Sequence, residues 1–268
     1  MSFKDAHIAL LEARMSSEMA DLIRRNGGSP ISVPAVREAP LGREQEVAAF
    51  IDRLSNGSIR TVVFFTGVGV NELLKEAERL VRQSELLTAL RNVTVVCRGP
   101  KPSAALKRYG VPATLSAREP YTTTELLEVL APLDLAGTAV GVVHYGERND
   151  QLARELRGRG ADLVELVLYE WLLPDNVDAL ETLVREIIAQ RVDAVVFTSQ
   201  IQVRHLFLIA ERVGLTPELT EALNTKTIVA SVGPTCTGVL HDYAVTPHVI
   251  PEHPKMGHLV KALVEYMA

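Results

Sequence analysis

The stretch VTVVCRGPKPSAAL, residues 93–106, recurs as TIVASVGPTCTGVL, residues 227–240. In both copies an apolar run leads into a Gly-Pro turn, and Gly99 and Gly233 stand half of the 268-residue chain apart. The same spacing relates Tyr109 to Tyr243. A duplication of this length exceeds the period of a solenoid, roughly 20–50 residues. It predicts two similar domains, and such domains commonly hold a ligand in the cleft between them.

Short apolar runs alternate with segments of helical periodicity. The runs that we interpret as strands are 7–11, 31–36, 61–65, 93–97, 138–144, 163–169, 194–197 and 227–231. Continuous apolar runs indicate parallel strands covered on both faces. Their alternation with helices indicates open α/β sheets with right-handed crossovers. Proline-bearing stretches at equivalent positions, 33–40 and 169–175, are predicted linkers. Periodicity alone leaves open whether the two domains are interleaved or sequential.

Composition restricts the classes of partner. A net charge of −5 and an isoelectric point near 5.8 argue against a nucleic-acid partner, which requires a basic surface. Two cysteines without a short spacing exclude a zinc ribbon and a disulfide framework, so we expect a reducing compartment. No run approaches the roughly 18–20 apolar residues of a membrane span, and the N-terminus lacks signal-peptide features. We therefore expect a cytoplasmic protein with no membrane partner.

Five turns between a predicted strand and a predicted helix are rich in glycine, proline or hydroxyl residues. They contain Thr66-Gly67-Val68-Gly69, Arg98-Gly99-Pro100-Lys101, Tyr145-Gly146, Thr198-Ser199-Gln200 and Gly233-Pro234-Thr235. Ligands of open α/β sheets bind beyond the carboxyl ends of the strands, and free N–H groups at helix N-termini favour anions. The turns therefore predict a small molecule with several anionic groups. The turn at Gly67 and Gly69 lacks the third glycine of a dinucleotide fingerprint, and the C-terminal histidines fit no metal-ligand spacing.

At these positions the chain resembles the uroporphyrinogen-III synthase family over essentially its whole length. The resemblance depends on Phe65-Thr66-Gly67-Val68-Gly69-Val70, Arg98-Gly99-Pro100-Lys101, Val167-Leu168-Tyr169, Phe197-Thr198-Ser199, Leu223-Asn224-Thr225-Lys226, Val232-Gly233-Pro234-Thr235 and Tyr243-Ala244-Val245-Thr246-Pro247, in that order. It implies two flavodoxin-like, three-layer domains with parallel sheets, joined by a two-stranded linker and interleaved. Residues 1–36 with 173–268 then form one domain and residues 37–172 the other.

The resemblance also implies an activity. The family's substrate is hydroxymethylbilane, a linear tetrapyrrole that carries acetate and propionate groups. The lyase reaction removes the terminal hydroxyl, inverts ring D through a spiro intermediate and closes uroporphyrinogen III, a precursor of haem, sirohaem and cobalamin, without a metal or coenzyme. The substrate carboxylates are anions that helix N-termini can receive, and positioning of the folded chain steers the attack. We expect a monomer, because the duplication supplies both walls of the cleft, and the upstream hydroxymethylbilane synthase is a candidate partner.

The resemblance assigns roles to individual residues. Tyr169 matches the family's tyrosine beside the linker, where a phenol can assist the departing hydroxyl; alternatively, its ring only anchors the linker. The residues that match family positions around the carboxylates are Thr66, Gly67, Thr198, Ser199, Gly233 and Thr235. The remaining predicted substrate-binding residues are the other turn residues and Arg14, which follows the first strand: Val68, Gly69, Arg98, Gly99, Lys101, Tyr145, Gly146, Gln200, Pro234 and Arg14.

Two positions depart from the family pattern. Cys236 follows Thr235 where many members carry a second hydroxyl residue, and Gly67 stands where others have serine. Backbone groups alone can bind at Gly67. A non-catalytic tetrapyrrole-binding or regulatory domain of the same fold is therefore the alternative function. An unrelated binding protein of the periplasmic kind is disfavoured by the missing signal peptide.

Overall fold

Strands and helices alternate along the computed structural model, which describes residues 2–268. In chain order they are β1 (His7–Leu10), α1 (Ser16–Arg25), β2 (Ser29–Ser32), β3 (Arg37–Pro40), α2 (Glu44–Ser55), β4 (Ile59–Phe64), α3 (Gly67–Arg79), α4 (Gln83–Arg91), β5 (Thr94–Cys97), α5 (Pro100–Lys107), β6 (Leu115–Ser116), α6 (Thr123–Leu130), β7 (Ala139–Val143), α7 (Asp150–Gly158), β8 (Asp162–Leu166), β9 (Tyr169–Leu172), α8 (Asp178–Ile188), β10 (Ala194–Phe197), α9 (Gln200–Arg212), α10 (Thr216–Thr225), β11 (Ile228–Ser231), α11 (Pro234–Asp242) and α12 (Met256–Met267). None of these helices combines the length and apolar character needed to cross a bilayer.

The backbone forms two units. Unit 1 comprises Met1–Arg37 and Leu172–Ala268, and unit 2 comprises Glu38–Trp171. The chain leaves unit 1 within β3 and returns to it within β9. These two strands pair with each other in a separate two-stranded sheet. Unit 1 is therefore built from both ends of the chain and unit 2 from its continuous middle.

The sheet of unit 1 has four parallel strands in the order β11-β10-β1-β2. Successive residues of β1 point to opposite faces, as the strand period requires. Ile8 and Leu10 enter a core with helices α1 and α12. Ala9 enters the other core, which α8, α9, α10 and α11 cover. The sheet is thus covered by helices on both faces.

The sheet of unit 2 has five parallel strands in the order β6-β5-β4-β7-β8. Val62 and Phe64 of β4 pack into a core with α2, α3, α4 and α5, whereas Val63 packs into a core with α6 and α7. The predicted α/β class with parallel sheets is confirmed in both units. The reason is the one inferred from sequence, since continuous apolar runs suit strands that are buried on both faces.

Two predicted strands are wrong in their extent. The predicted strand 31–36 overlaps β2 only at residues 31 and 32, because β2 spans Ser29–Ser32. The apolar run 163–169 is not a single strand, because β8 ends at Leu166 and Tyr169 begins β9. β8 belongs to the sheet of unit 2, whereas β9 pairs with β3. The short strands β3 and β6 were not predicted, since neither has a continuous apolar sequence.

Candidate functional site

The carboxyl ends of three neighbouring strands define the candidate site of unit 2. In the sheet, β5, β4 and β7 are adjacent and end at Cys97, Phe64 and Val143. The ladder continues one step further, because the N–H of Phe65 donates to Val143 O at 3.2 Å and that of Arg98 donates to Phe64 O at 2.9 Å. The predicted turns that begin at Thr66, Arg98 and Tyr145 therefore lie side by side, where an open α/β sheet binds its ligands.

Tyr169 reaches this edge from β9. Its side chain is 1% exposed, and its hydroxyl lies 3.1 Å from Thr66 Oγ1, with either hydroxyl able to donate. Thr66 is the N-cap of α3, and its Oγ1 accepts the Gly69 N–H at 3.0 Å. The cap fixes the threonine rotamer, because the side-chain oxygen is tied to the first turn of the helix. The phenol is thereby held in a fixed position at the positive end of α3.

Tyr169 belongs to a cluster of aromatic rings that has a buried layer and an outer layer. Phe65 and His144 are each 1% exposed and stack with ring centroids 5.7 Å apart. Tyr145 and Trp171 are partly exposed, and their centroids lie 5.5 Å apart. Trp171 also meets the Tyr169 ring edge-on, at 6.0 Å. The buried layer supports the outer layer, since Phe65 lies 5.1 Å from Tyr145.

Arg98 joins this aromatic cluster as its cation. The guanidinium carbon lies 5.4 Å from the Phe65 ring centroid and 5.2 Å from that of Tyr145, within cation–π range. Burial lowers the pKa of Arg98, whereas Tyr145 and Tyr169 act to raise it. The group remains charged at neutral pH, because arginine does not lose its proton in proteins. Among residues 2–268, no carboxylate forms an ion pair with Arg98.

A buried histidine network supports the inner layer. The His144 Nδ1 accepts the Asn149 N–H at 3.2 Å, so its Nε2 carries the proton and donates to Glu165 at 3.0 Å. Glu165 also accepts from Arg148, at 2.7 and 3.0 Å, and from Arg157. Burial lowers the pKa of His144 and outweighs the opposing effect of Glu165. The histidine is therefore neutral at pH 7, and its ring positions Phe65 by stacking on the phenylalanine ring.

The pKa of Glu165 is set by opposing effects. Burial of its carboxylate acts to raise the pKa, but hydrogen bonds from Arg148, His144 and Arg157 outweigh it and hold the pKa at about 2. The carboxylate is thus ionised at neutral pH, and its charge is neutralised locally by the two arginines.

The glycines of these turns allow segments of the protein to approach one another. A Cβ on Gly67 would lie 3.1 Å from the Lys101 carbonyl oxygen, and one on Gly69 would lie 3.1 Å from the His144 carbonyl oxygen. Gly146 has φ +49°, and a Cβ there would lie 2.5 Å from the Trp171 ring. The glycines thus bring the turns at α3, α5 and β7 together. Val68 lies in the first turn of α3, and Gly99 is the buried N-cap of α5.

The remaining predicted residues belong to unit 1. Thr198 and Ser199 precede α9, and the hydroxyl of Thr198 donates to the carboxylate of Glu12. Gln202 completes this arrangement, because its Oε1 accepts the Thr198 N–H at 2.8 Å and its Nε2 donates to Thr198 Oγ1 at 2.9 Å. A capping box formed by Ser199 and Gln202 begins α9, with Gln200 as its first residue. The α9 N-terminus of unit 1 therefore already carries a protein carboxylate.

The last predicted turn begins α11. Gly233 is its N-cap, Pro234 is its first residue, and neither supplies a side-chain cap. Thr235 is exposed. The hydroxyl pair of this turn is instead Ser231 with Thr237, at 2.9 Å. Arg14 lies exposed in the loop between β1 and α1.

Both cysteines lie beside these turns, Cys97 in unit 2 and Cys236 in unit 1. Cys97 ends β5 and Cys236 lies in the first turn of α11. Both are buried, and burial raises the pKa of each thiol to about 11. They are therefore thiols at neutral pH and not nucleophiles.

The sequence analysis did not predict the site residues Trp171, Glu12 and Glu165. Trp171 carried a usable signal, because it is the only tryptophan of the chain and stands two residues after Tyr169, on the same face of a strand. Glu12 and Glu165 carried none, since a single acidic residue after or within an apolar run does not reveal its hydrogen-bond donors.

Comparison with known proteins supports one family. The family model described as uroporphyrinogen-III synthase HemD matches residues 17–261. An uncharacterized Bacillus subtilis protein, YjjA, is 31% identical over 259 residues, covering 97% of this chain and 95% of that protein. A Methanothermobacter thermautotrophicus protein, named only provisionally as a uroporphyrinogen-III synthase, is 27% identical over 257 residues, or 94% of each chain. The structure of a mutant uroporphyrinogen III synthase from Thermus thermophilus shares the fold, with a TM-score of 0.74, 23% identity and coverage of 97% and 98%.

Proposed function

Since this chain belongs to the uroporphyrinogen-III synthase family, we propose that it converts hydroxymethylbilane into uroporphyrinogen III. The observation that supports this most directly is the hydroxyl of Tyr169, buried and 3.1 Å from Thr66 at the N-terminus of α3. The proposal includes catalysis without metal or coenzyme by a cytoplasmic monomer. The synthase that supplies hydroxymethylbilane is the proposed upstream partner.

In the proposed mechanism Tyr169 acts on the departing hydroxyl. Its phenol donates its proton to that hydroxyl, which leaves as water while the C–O bond breaks. The phenolate then takes up the proton that the substrate's pyrrole carbon loses when the macrocycle closes. Thr66 positions the phenol through the bond between their hydroxyls. The positive end of α3 and the guanidinium of Arg98 offset the negative charge of the substrate carboxylates nearby.

Positioning is the second requirement of the reaction. The substituted carbon of ring D must attack first, to form the spiro intermediate, before the ring inverts and the macrocycle closes. Without an enzyme, the bilane closes without inversion and gives the type I isomer. Holding the chain folded for the first attack supplies the selectivity, since a fixed geometry favours one of two competing attacks. Carboxylates bound at Arg98 and at the helix N-termini are the proposed fixed points.

The isomer composition of the product tests this proposal. Purified protein is incubated with freshly prepared hydroxymethylbilane, the products are oxidised, and uroporphyrin isomers I and III are separated by chromatography. We expect type III in clear excess over a protein-free control. Type I alone, with an active synthase run in parallel, would contradict the catalytic proposal and favour the non-catalytic tetrapyrrole-binding alternative.

Glu12 is expected to weaken substrate binding at α9. Its carboxylate accepts from Thr198 and from Gln202, where a substrate carboxylate is proposed to bind. Two like charges about 6 Å apart in water repel by about 0.7 kcal/mol. We therefore expect Glu12→Gln to lower KM about threefold, because the amide keeps an acceptor oxygen and removes the charge.

The matched control is Glu18→Gln, which removes an exposed negative charge on α1 in the same unit. Its KM is expected to stay unchanged, because its carboxylate accepts a hydrogen bond from Ser17 and not from the residues that begin α9. An unchanged KM in Glu12→Gln would mean that no substrate carboxylate approaches the N-terminus of α9.

A further inference from the structure

The outer aromatic layer of unit 2 has the composition of a binding surface. Tyr145, Trp171 and Arg98 are all partly exposed, and each rests on a buried neighbour. Aromatic residues make up only 5% of the chain, so the meeting of Phe65, Tyr145, Tyr169 and Trp171 at one sheet edge is a concentration that core packing alone does not require. Their partial exposure is the feature that a ligand would use.

Arg98 contacts the rings of Phe65 and Tyr145 by cation–π interactions, which use none of its N–H donors. A guanidinium that stacks on aromatic faces uses its planar face for the stacking, which leaves its N–H donors in the plane of the group. Phe65 and Tyr145 therefore fix the position of the cation without consuming its donors. A carboxylate can accept two of these donors side by side.

Trp171 is held in one orientation by the backbone beneath it. Its ring lies so close to Gly146 that any Cβ at that position would come within 2.5 to 2.9 Å of three ring atoms. The edge contact with Tyr169 and the tilted contact with Tyr145 fix the ring from two further sides. A ring that is both rigid and partly exposed binds a second flat ring at low entropic cost.

We propose that Trp171, Tyr145 and Arg98 form a subsite for one pyrrole ring of the substrate and the carboxylate that this ring carries. Trp171 and Tyr145 contact the ring, and Arg98 receives the carboxylate. The chemistry recognised is an electron-rich five-membered ring with an anionic arm about one side-chain length away. This inference rests on the proposed function, because it assigns a place to part of the same substrate.

Binding measured apart from turnover tests the subsite. The probe is uroporphyrinogen I, the colourless reduced macrocycle with the same pyrroles and carboxylates, titrated calorimetrically under anaerobic conditions. We expect Trp171→Ala to bind it about tenfold more weakly and Trp171→Phe within about twofold of the wild type, because phenylalanine keeps a stacking ring. Arg98→Met is expected to bind uroporphyrinogen I about thirtyfold more weakly than the wild type. Arg98→Lys is expected to lose less affinity, since lysine keeps the positive charge but lacks the paired N–H donors of the guanidinium.

Tyr109→Ala is the matched control. Tyr109 is an aromatic side chain in the same unit, 39% exposed, two residues beyond the end of α5 and outside the aromatic cluster. The affinity of the Tyr109→Ala variant for uroporphyrinogen I is expected to equal that of the wild type. Butanetetracarboxylate, an aliphatic polyanion, serves as a second probe. Its binding should fall in Arg98→Met and stay unchanged in Trp171→Ala, because it has carboxylates and no ring.

The wild-type protein gives an independent measurement if Trp171→Ala does not fold. Trp171 is the only tryptophan, so its fluorescence reports on this subsite alone. Uroporphyrinogen I is expected to protect it from quenching by acrylamide. Continued quenching at saturating probe, or equal affinity of Trp171→Ala and wild type, would overturn the subsite. If the subsite is overturned but the wild type still makes the type III isomer, the proposed function stands without this subsite. If the wild type neither binds uroporphyrinogen I nor makes the type III isomer, the proposed function itself is wrong.

Discussion

Replacing Tyr169 with phenylalanine is expected to lower kcat for the proposed substrate, hydroxymethylbilane, about 100-fold and to leave KM within about twofold. The substitution removes only the hydroxyl, and the ring keeps its packing against Trp171. Thr66 keeps its bond with the Gly69 N–H, so the start of α3 is unchanged. The free energy of unfolding should fall by about 1 kcal/mol, the usual value for one hydrogen bond. Steady-state kinetics measure kcat and KM, and urea unfolding of the same preparations measures the free energy of unfolding.

A matched control distinguishes the chemistry of this hydroxyl from a general effect of losing a phenol. Tyr243→Phe removes a hydroxyl from a ring that stacks on Phe207 in unit 1, with centroids 4.1 Å apart. Its kcat should equal that of the wild type. Full activity of Tyr169→Phe would show that the ring only anchors β9, which is the alternative interpretation of this tyrosine.

Replacing Glu165 with glutamine is expected to lower the free energy of unfolding by about 2–3 kcal/mol near pH 7. The carboxylate accepts hydrogen bonds from Arg148, Arg157 and His144, and an amide can satisfy only part of this set. The value lies below that of a fully buried pair, because the arginine side chains are 45% and 48% exposed. Activity should fall too, since His144 supports Phe65 beneath the site.

The loss of stability in Glu165→Gln is expected to depend on pH in a way that follows from the pKa of Glu165. The pKa of Glu165 is lowered to about 2 in the folded protein from the ordinary value near 4.5. The contribution of the Glu165 carboxylate to the free energy of unfolding is therefore complete above pH 4.5 and is lost as the pH falls towards 2. The pKa of His144 is also lowered, so the wild type loses stability as the pH falls below the usual range of histidine near 6.5. Urea unfolding at a series of pH values should show the difference between wild type and Glu165→Gln shrinking below pH 4.5.

Glu186→Gln is the control for a lost surface ion pair. Glu186 pairs with Arg191 on the surface, and hydrogen bonds from that arginine lower its pKa. Its removal should change stability little, since exposed ion pairs contribute little. A difference between Glu165→Gln and wild type that stays constant from neutral to acid pH would contradict the assigned ionic network.

The sequence predicted the class of fold because the duplicated apolar runs are long enough to be buried on both faces. It failed at residues 167–168, where the chain leaves one sheet for another inside an unbroken apolar run. Hydrophobicity is the same on both sides of that break, so periodicity cannot locate it. Tyr169 was consequently predicted to end a strand, whereas it begins β9.

The duplication was a weaker guide to the site than to the fold. It predicted equivalent anion-binding turns, but the structure gives the turns different neighbours. Thr66 meets a phenol, whereas Thr198 meets the carboxylate of Glu12. Such partners come from distant positions in the sequence, and only the folded chain brings them together. Glycines gave a mixed signal, since Gly67 and Gly69 are explained by the close approach of protein segments.

The position of β1 has a consequence for synthesis on the ribosome. β1 lies between β2 and β10 in the sheet of unit 1, with Ile8 opposite Ala194. The nascent chain must therefore emerge beyond Phe197 before its earliest strand gains its second neighbour, and all of unit 2 has been translated by then. The apolar residues Ile8 and Leu10 of β1 are therefore synthesised before unit 2 but gain their second neighbouring strand only after it. Because translation proceeds from the N-terminus, unit 2 can complete its fold before unit 1 does.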